Sequence, residues 1–235
     1  MEEKQYLELI LVPLGLLLLL AYHLWFTYQL IRHPNNTVMG MNVFNLRMWV
    51  KSILENQSKN GILAVQTLRN NIMASTMFAT MSITLSSIIC VFIANGWGVS
   101  SGSTTATTEL GFVSGYSTTD SFKFFSILTC FLVAFMCNVQ TIRYYSHGGM
   151  LINVPTSKWS EAELSHKITE YVVRAFERGS FFWSLGLRAL YFAFPLFMWI
   201  FGPISMFVCC FVLVILLYYL DVSFDREREW LIRNK

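Results

Sequence analysis

The sequence predicts an all-α fold, a polytopic membrane protein with about four transmembrane helices and amphipathic helices in its cytoplasmic segments. Three observations carry that reading. Hydrophobic residues make up 54% of the 235 residues and charged residues only 13%, whereas a soluble domain is nearer a quarter charged. Twenty phenylalanines exceed what a soluble core of this size absorbs. Four nearly charge-free stretches, 7–31, 73–95, 122–144 and 189–220, reach the length of about 20 residues that crosses a bilayer.

The first stretch follows Glu2, Glu3 and Lys4 and contains Glu8, an acidic start. A secretory signal has a basic start, a shorter apolar run and a small-residue cleavage pattern. The stretch is therefore expected to remain as the first span, with His23, Trp25, Tyr28 and Arg32 at its interfacial end. The segment 40–72 follows. Leu46, Trp49, Val50 and Ile53 recur there at helical spacing, with Arg47, Lys51 and Glu55 between them. No breaker stands between Ile62 and Asn95, so the second span is predicted to project from the membrane as one long helix.

That helix has two polar sides. Gln66, Arg69, Met73, Thr76, Thr80, Thr84 and Ser87 share one, and Ser75, Ala79, Ser82 and Ser86 share another. One side is expected to pack while the other lines a hydrated path. The competing reading is that the hydroxyls bond back to their own helix. A Ser/Thr/Gly-rich outer loop, 97–121, leads to the third span. Its stripe of Lys123, Ser126, Cys130, Ala134, Cys137 and Thr141 suits close helix packing. Asn138 is deep enough to need a partner. Arg143 and His147 lie at the cytoplasmic end, and Gly148-Gly149 marks the expected helix end.

In the segment 160–178, Ser160 and Glu163 match a capping box and Trp159 and Leu164 a hydrophobic staple. Leu164, Ile168, Tyr171, Val172, Ala175 and Phe176 form one stripe, with Gly179 as the expected stop. The last stretch contains Pro195 and Gly202-Pro203. Two spans there would place Arg188 inside the membrane, which costs about 2.5–3.5 kcal/mol or more unless it is paired. One long span, tilted or kinked at its prolines, is expected instead.

Lys and Arg concentrate in cytoplasmic loops. The segment after the first span holds Arg32, Arg47, Lys51, Lys59 and Arg69 against Glu55, and 145–188 holds Lys158, Lys167, Arg174, Arg178 and Arg188. The residues of the outer loop include no Lys or Arg. The N-terminus is therefore placed outside or in the lumen, in a plasma membrane or endomembrane. Four spans then leave Arg226, Arg228, Arg233 and Lys235 on the outer side, which is the one misfit.

Signatures of chemistry are thin. Gly98 to Gly102 formally match GxSxG, but an esterase elbow needs a strand before it and a helix after it. Cys90, Cys130, Cys137, Cys209 and Cys210 all fall in spans without metal-binding spacing and read as packing residues. No catalytic residue, cofactor, metal or nucleic-acid partner is expected.

Three stretches, "AVQTLRNNIMASTMFAT", "RYYSHGGMLINVP" and "RGSFFWSLGLRALYFAFPLFMWIFGPISMF", resemble motifs of domain-of-unknown-function family 599, integral membrane proteins of plants and bacteria. The wording resembles the plant branch. The resemblance covers nearly the whole chain, implies a four-span membrane protein and implies no activity. It places Arg69, Asn70, Asn71, Arg143, His147, Arg188 and Pro195 in motif blocks where the cytoplasmic segments meet the membrane.

Function is expected to be that of a channel or transporter subunit for a small, anionic solute, assembled as a homo-oligomer. Thr76, Thr80, Thr84, Ser87 and Asn138 would line its path, with Arg69, Arg143, His147 and Arg188 at the cytoplasmic mouth. The alternative is a scaffold whose amphipathic helices bind a cytoplasmic protein partner or anionic membrane lipid.

Overall fold

The computed structural model describes residues 2–94, 118–154 and 162–222. These form six α-helices: α1 (Glu2–Arg32), α2 (Val38–Glu55), α3 (Gln57–Ala94), α4 (Thr118–Ile152), α5 (Ala162–Met198) and α6 (Pro203–Asp221). A short 3-10 turn, Pro34–Asn36, links α1 to α2. All but α2 are long and apolar enough to cross a membrane, five helices in all. Exposed Leu9, Leu24, Met77 and Phe211 are typical of their surfaces. Patches of this kind would drive aggregation in water and belong against lipid.

The fifth spanning helix corrects the expectation of a single long span at 189–220. The chain breaks at Trp199–Gly202, where Gly202 adopts φ +144°, a conformation that costs glycine little, and Pro203 opens α6. Pro195 lies within α5 and does not end it.

Helix ends meet in two groups. At one end, Lys123 of α4 pairs with Glu8 of α1 at 3.2 Å and lies 5.4 Å from the Trp199 ring centroid. At the other end, Gln57 donates to the carbonyls of Ile152 and Val154, the latter at 3.1 Å. There too Arg47 of α2 pairs with Glu177 of α5, and Thr37 bridges to Val222 beyond α6. We call this second one the basic end, since Arg47, Lys51, Lys59 and Arg69 lie on the helices that meet there.

Two apolar cores follow from this arrangement. One lies between the spans and includes Leu19, Phe26, Ile127, Leu196, Met206, Cys210 and Leu217. The other lies at the basic end, where α2 covers α3, α4 and α5, and includes Val50, Ile53, Leu68, Tyr145, Ile152, Val172 and Phe176. At about 1.5 Å per residue, α3 with its 38 residues is roughly 57 Å long, far more than the hydrocarbon thickness. Its first turns therefore build the second core, as expected of a helix projecting from the membrane.

The predicted amphipathic segments are present but divided differently. The segment 40–72 is two helices, parted at Asn56. The segment 160–178 is the start of α5, not a separate helix. Gly179 does not stop it, because the missing side chain there makes room for Tyr145, whose ring would lie 2.7 Å from an added Cβ. Gly148-Gly149 likewise does not end α4; Gly148 faces the Phe176 ring, 2.7 Å from where a Cβ would sit. The side chains assigned to the cap and staple, at 159, 160, 163 and 164, lie outside the described ones, as do the GxSxG match and residues 97–117 of the outer loop.

Candidate functional site

Arg188 lies within the apolar stretch of α5 that is long enough to cross a membrane, and the charge that makes this tolerable comes from α6. Its Nη2 donates to Asp221 Oδ1 at 2.7 Å, and both side chains are only 15% exposed. Tyr22 of α1 donates to the other carboxylate oxygen at 2.7 Å. The guanidinium also stacks 4.1 Å from the Phe26 ring centroid. Three helices thus share one ion pair. The remaining Nη1 is buried without a partner among the described residues.

The pair forms one wall of an open cavity of about 250 Å³, which Asn42, Ser180, Trp183 and Ser184 also line. Asn42, Ser180 and Trp183 are shared with a larger cavity of about 450 Å³ nearer the end of α2. Asn45, Thr67, Asn71 and Tyr145 line that second space. The two adjoin at the basic end and together form a chamber bounded by α2, α3, α5 and the end of α6. Among the described residues, the side-chain amides of Asn42, Asn45 and Asn71 make no hydrogen bond to protein. Three amides therefore offer both donors and acceptors to whatever enters.

Below the chamber the lining turns apolar. Phe78 of α3 meets Trp183 of α5 edge to face at 5.4 Å between centroids. Beyond that contact a groove of about 340 Å³ runs along Met81, Leu85, Phe131, Leu190 and Phe197. Leu187 and Tyr191 line both this groove and the smaller polar cavity, so the two spaces adjoin.

The residues expected to line a path are elsewhere. Thr76, Thr80, Thr84 and Ser87 are exposed on the outer face of α3. Thr76, Thr80 and Ser87 each donate to the carbonyl four residues earlier at 2.9 Å. The first three flank a shallow surface hollow with Met77 and Met81. The opposite stripe is the packing side: Ser75, Ala79, Ser82 and Ser86 are buried against the bundle. Asn138 is fully buried, donates to Ala134 O at 2.8 Å and abuts Gly186 of α5, so it lines none of the cavities described above.

The four residues expected at a shared mouth are also dispersed. Arg69 and Arg143 are exposed. His147 contacts the Tyr171 hydroxyl at 3.1 Å. Arg188 alone reaches the chamber, and Asp221 balances its charge. Among the described residues, no three His, Cys, Asp or Glu side chains gather closely enough to hold a metal ion.

Sequence reasoning passed over Asn42, Asn45, Thr67, Trp183 and Asp221. The signal was present in "NVFNLRMW", where two amides three residues apart share a side of an otherwise amphipathic helix. Asp221, in contrast, had no local cue, because its partner lies a helix away.

The searches of curated proteins and of solved structures find no match to the chain. One family model, described as "Protein of unknown function, DUF599", matches residues 10–226. With nearly the whole chain matched, the protein belongs to the DUF599 family of proteins of unknown function, as its motifs implied.

Proposed function

We propose that the protein is a membrane transport subunit that admits a polar group to the chamber at its basic end. The observation that carries this is the chamber itself: three exposed amides beside a largely buried ion pair between two candidate spanning helices. An ionisable pair carried by two candidate spanning helices is expensive and is kept where function needs it. The chamber's charge is balanced, and the arginines once expected to gather anions do not converge, so the reading favours a polar solute over a simple anion.

Topology supports access from the cytoplasm. With five spans, α6 ends at the basic end, so the tail carrying Arg226, Arg228, Arg233 and Lys235 leaves on the same side as the other basic segments. That removes the misfit of a four-span arrangement and supports the reading in which the N-terminus is outside or in the lumen. Solute flux into proteoliposomes tests the function. Osmotic shrinkage and recovery would be followed by light scattering with urea, glycerol, glycine and nitrate. Faster recovery is expected for at least one of them, lost in Asn42→Leu and Asn71→Leu. Recovery equal to protein-free vesicles for all four would remove the transport reading.

A second reading concerns assembly. The outward hydroxyl and methionine face of α3, where Thr76, Thr80 and Ser87 already bond to their own helix, suits contact with a second copy. A homo-oligomer built on this face would bring Thr76, Thr80, Thr84 and Ser87 together. Bulky Thr80→Trp is then expected to shift the oligomer toward monomer in cross-linking.

A further inference from the structure

The apolar groove lies where a small hydrophilic solute has no use for it. It runs from Leu187 to Phe197 along α5, about 15 Å at 1.5 Å per residue, which is close to half the hydrocarbon thickness. Its walls are α3 on one side and α5 on the other, with Phe131 of α4 as part of its floor, and Met81, Leu85, Phe194 and Phe197 are exposed along it. It therefore opens sideways to the bilayer. At its upper end it adjoins the chamber through Leu187 and Tyr191. An apolar slot of this length joined to a polar chamber at the interface matches an amphiphile in one orientation only: chain down, head up.

The head is constrained by charge. Arg188 and Asp221 both line the polar cavity, and their charges cancel. An anionic head would add a second negative charge near Asp221, and a cationic head a second positive charge near Arg188. Beside a cancelling pair a single charge gains little, because what one member attracts the other repels. A head carrying one charge of each sign can set its phosphate toward Arg188 and its ammonium toward Asp221. The amides of Asn42, Asn45 and Asn71 can then serve the remaining phosphate and ester oxygens.

We infer that the chamber and groove together bind a zwitterionic phospholipid, its head in the chamber beside Arg188 and Asp221 and one acyl chain in the groove between α3 and α5. The inference rests on the chamber being the entry site proposed above, and it names the class of molecule that enters. It makes Trp183 and Phe78, which meet edge to face, the boundary between the two media, a role that suits the amphipathic ring of tryptophan.

The test separates head from chain. The full-length protein, delipidated in detergent, is titrated with phosphatidylcholine and with phosphatidylglycerol of the same acyl chains, and bound lipid is counted by native mass spectrometry. One saturable phosphatidylcholine per chain is expected, held about tenfold more tightly than phosphatidylglycerol. Leu190→Trp and Phe197→Trp fill the groove from the α5 side, on residues that line neither the chamber nor the outward face of α3. Each should weaken phosphatidylcholine binding about tenfold with an unchanged size-exclusion profile. Undiminished binding in these variants, or binding that never saturates, would overturn the groove assignment. Equal or tighter binding of phosphatidylglycerol would overturn the zwitterionic head. Groove variants that bind lipid normally while Asn71→Leu still abolishes solute flux would leave the transport reading standing and sink this one.

Discussion

Arg188 and Asp221 stand 33 residues apart in the chain and meet at 2.7 Å, joining the middle of α5 to the last residue of α6. The contact answers the strongest argument against a fifth span, because the buried charge has its partner. A buried charge that loses its partner typically costs about 3–5 kcal/mol, whereas the intact pair contributes little net stability. Arg188→Ala and Asp221→Ala should each lower the thermal midpoint in detergent sharply. The double substitution should be milder than the sum of the two. Strict additivity would show that the two side chains are not coupled.

Topology provides a second check, one that distinguishes five spans from four. The sequons Asn35-Asn36-Thr37 and Asn56-Gln57-Ser58 both lie at the basic end, and in a eukaryotic host both should stay unmodified. A sequon appended after Lys235 should stay unmodified too, whereas one inserted near Thr105 should receive glycan if it stands clear of the membrane. Glycan on the appended sequon would restore a four-span arrangement.

Close packing of α4 on α5 passes through glycines. At Gly179, alanine gains about 1 kcal/mol of helix propensity, but its Cβ would press on the Tyr145 ring, and overpacking costs roughly 1–3 kcal/mol. Gly179→Ala should therefore be neutral to destabilising, and Gly179→Leu severe. Adding Tyr145→Ala should recover part of the loss in the leucine variant. A stabilised Gly179→Ala, seen as a raised thermal midpoint, would mean that the ring yields freely.

Arg47 and Arg69 separate a surface pair from a path residue. Arg47 bonds Glu177 at an exposed position, and such pairs are worth about 0–1 kcal/mol, so Arg47→Gln should change little. Arg69 makes no ion pair among the described residues, and Arg69→Gln should leave stability within about 0.5 kcal/mol. If the α3 faces of an oligomer line a path, Arg69→Gln should nonetheless lower anion current in planar bilayers. Wild-type current from an intact oligomer would exclude Arg69 from that path.

The parts of this fold that could be read in advance are those set by local chemistry. Long apolar runs define α1, α3 and α4, and the small-residue stripe Ala134, Cys137 and Thr141 does face α5, with Thr141 within 3.4 Å of the Gly179 carbonyl. What could not be read depended on remote partners. Gly179 resembles a helix stop until Tyr145 is known to lie beside it, and Arg188 looks forbidden until Asp221 answers it. The candidate site suffered most. Wheel positions sort the hydroxyls of α3 into two sides correctly, but nothing along the chain says which side meets the bundle. The chamber gathers residues from α2, α3, α4 and α5, so only the assembled bundle reveals it.

The lengths of α3, α4 and α5 have a mechanical consequence. Each of these helices, with 38, 35 and 37 residues, passes from the bilayer into the second core without an intervening loop. About 18 residues of α3 lie beyond a 20-residue crossing, an arm of roughly 27 Å. Each degree of tilt within the bilayer then sweeps the end of that arm by about 0.5 Å. Since α2 rests across these arms, a partner that presses on α2 and a lipid that spreads α3 from α5 act on the two ends of the same lever.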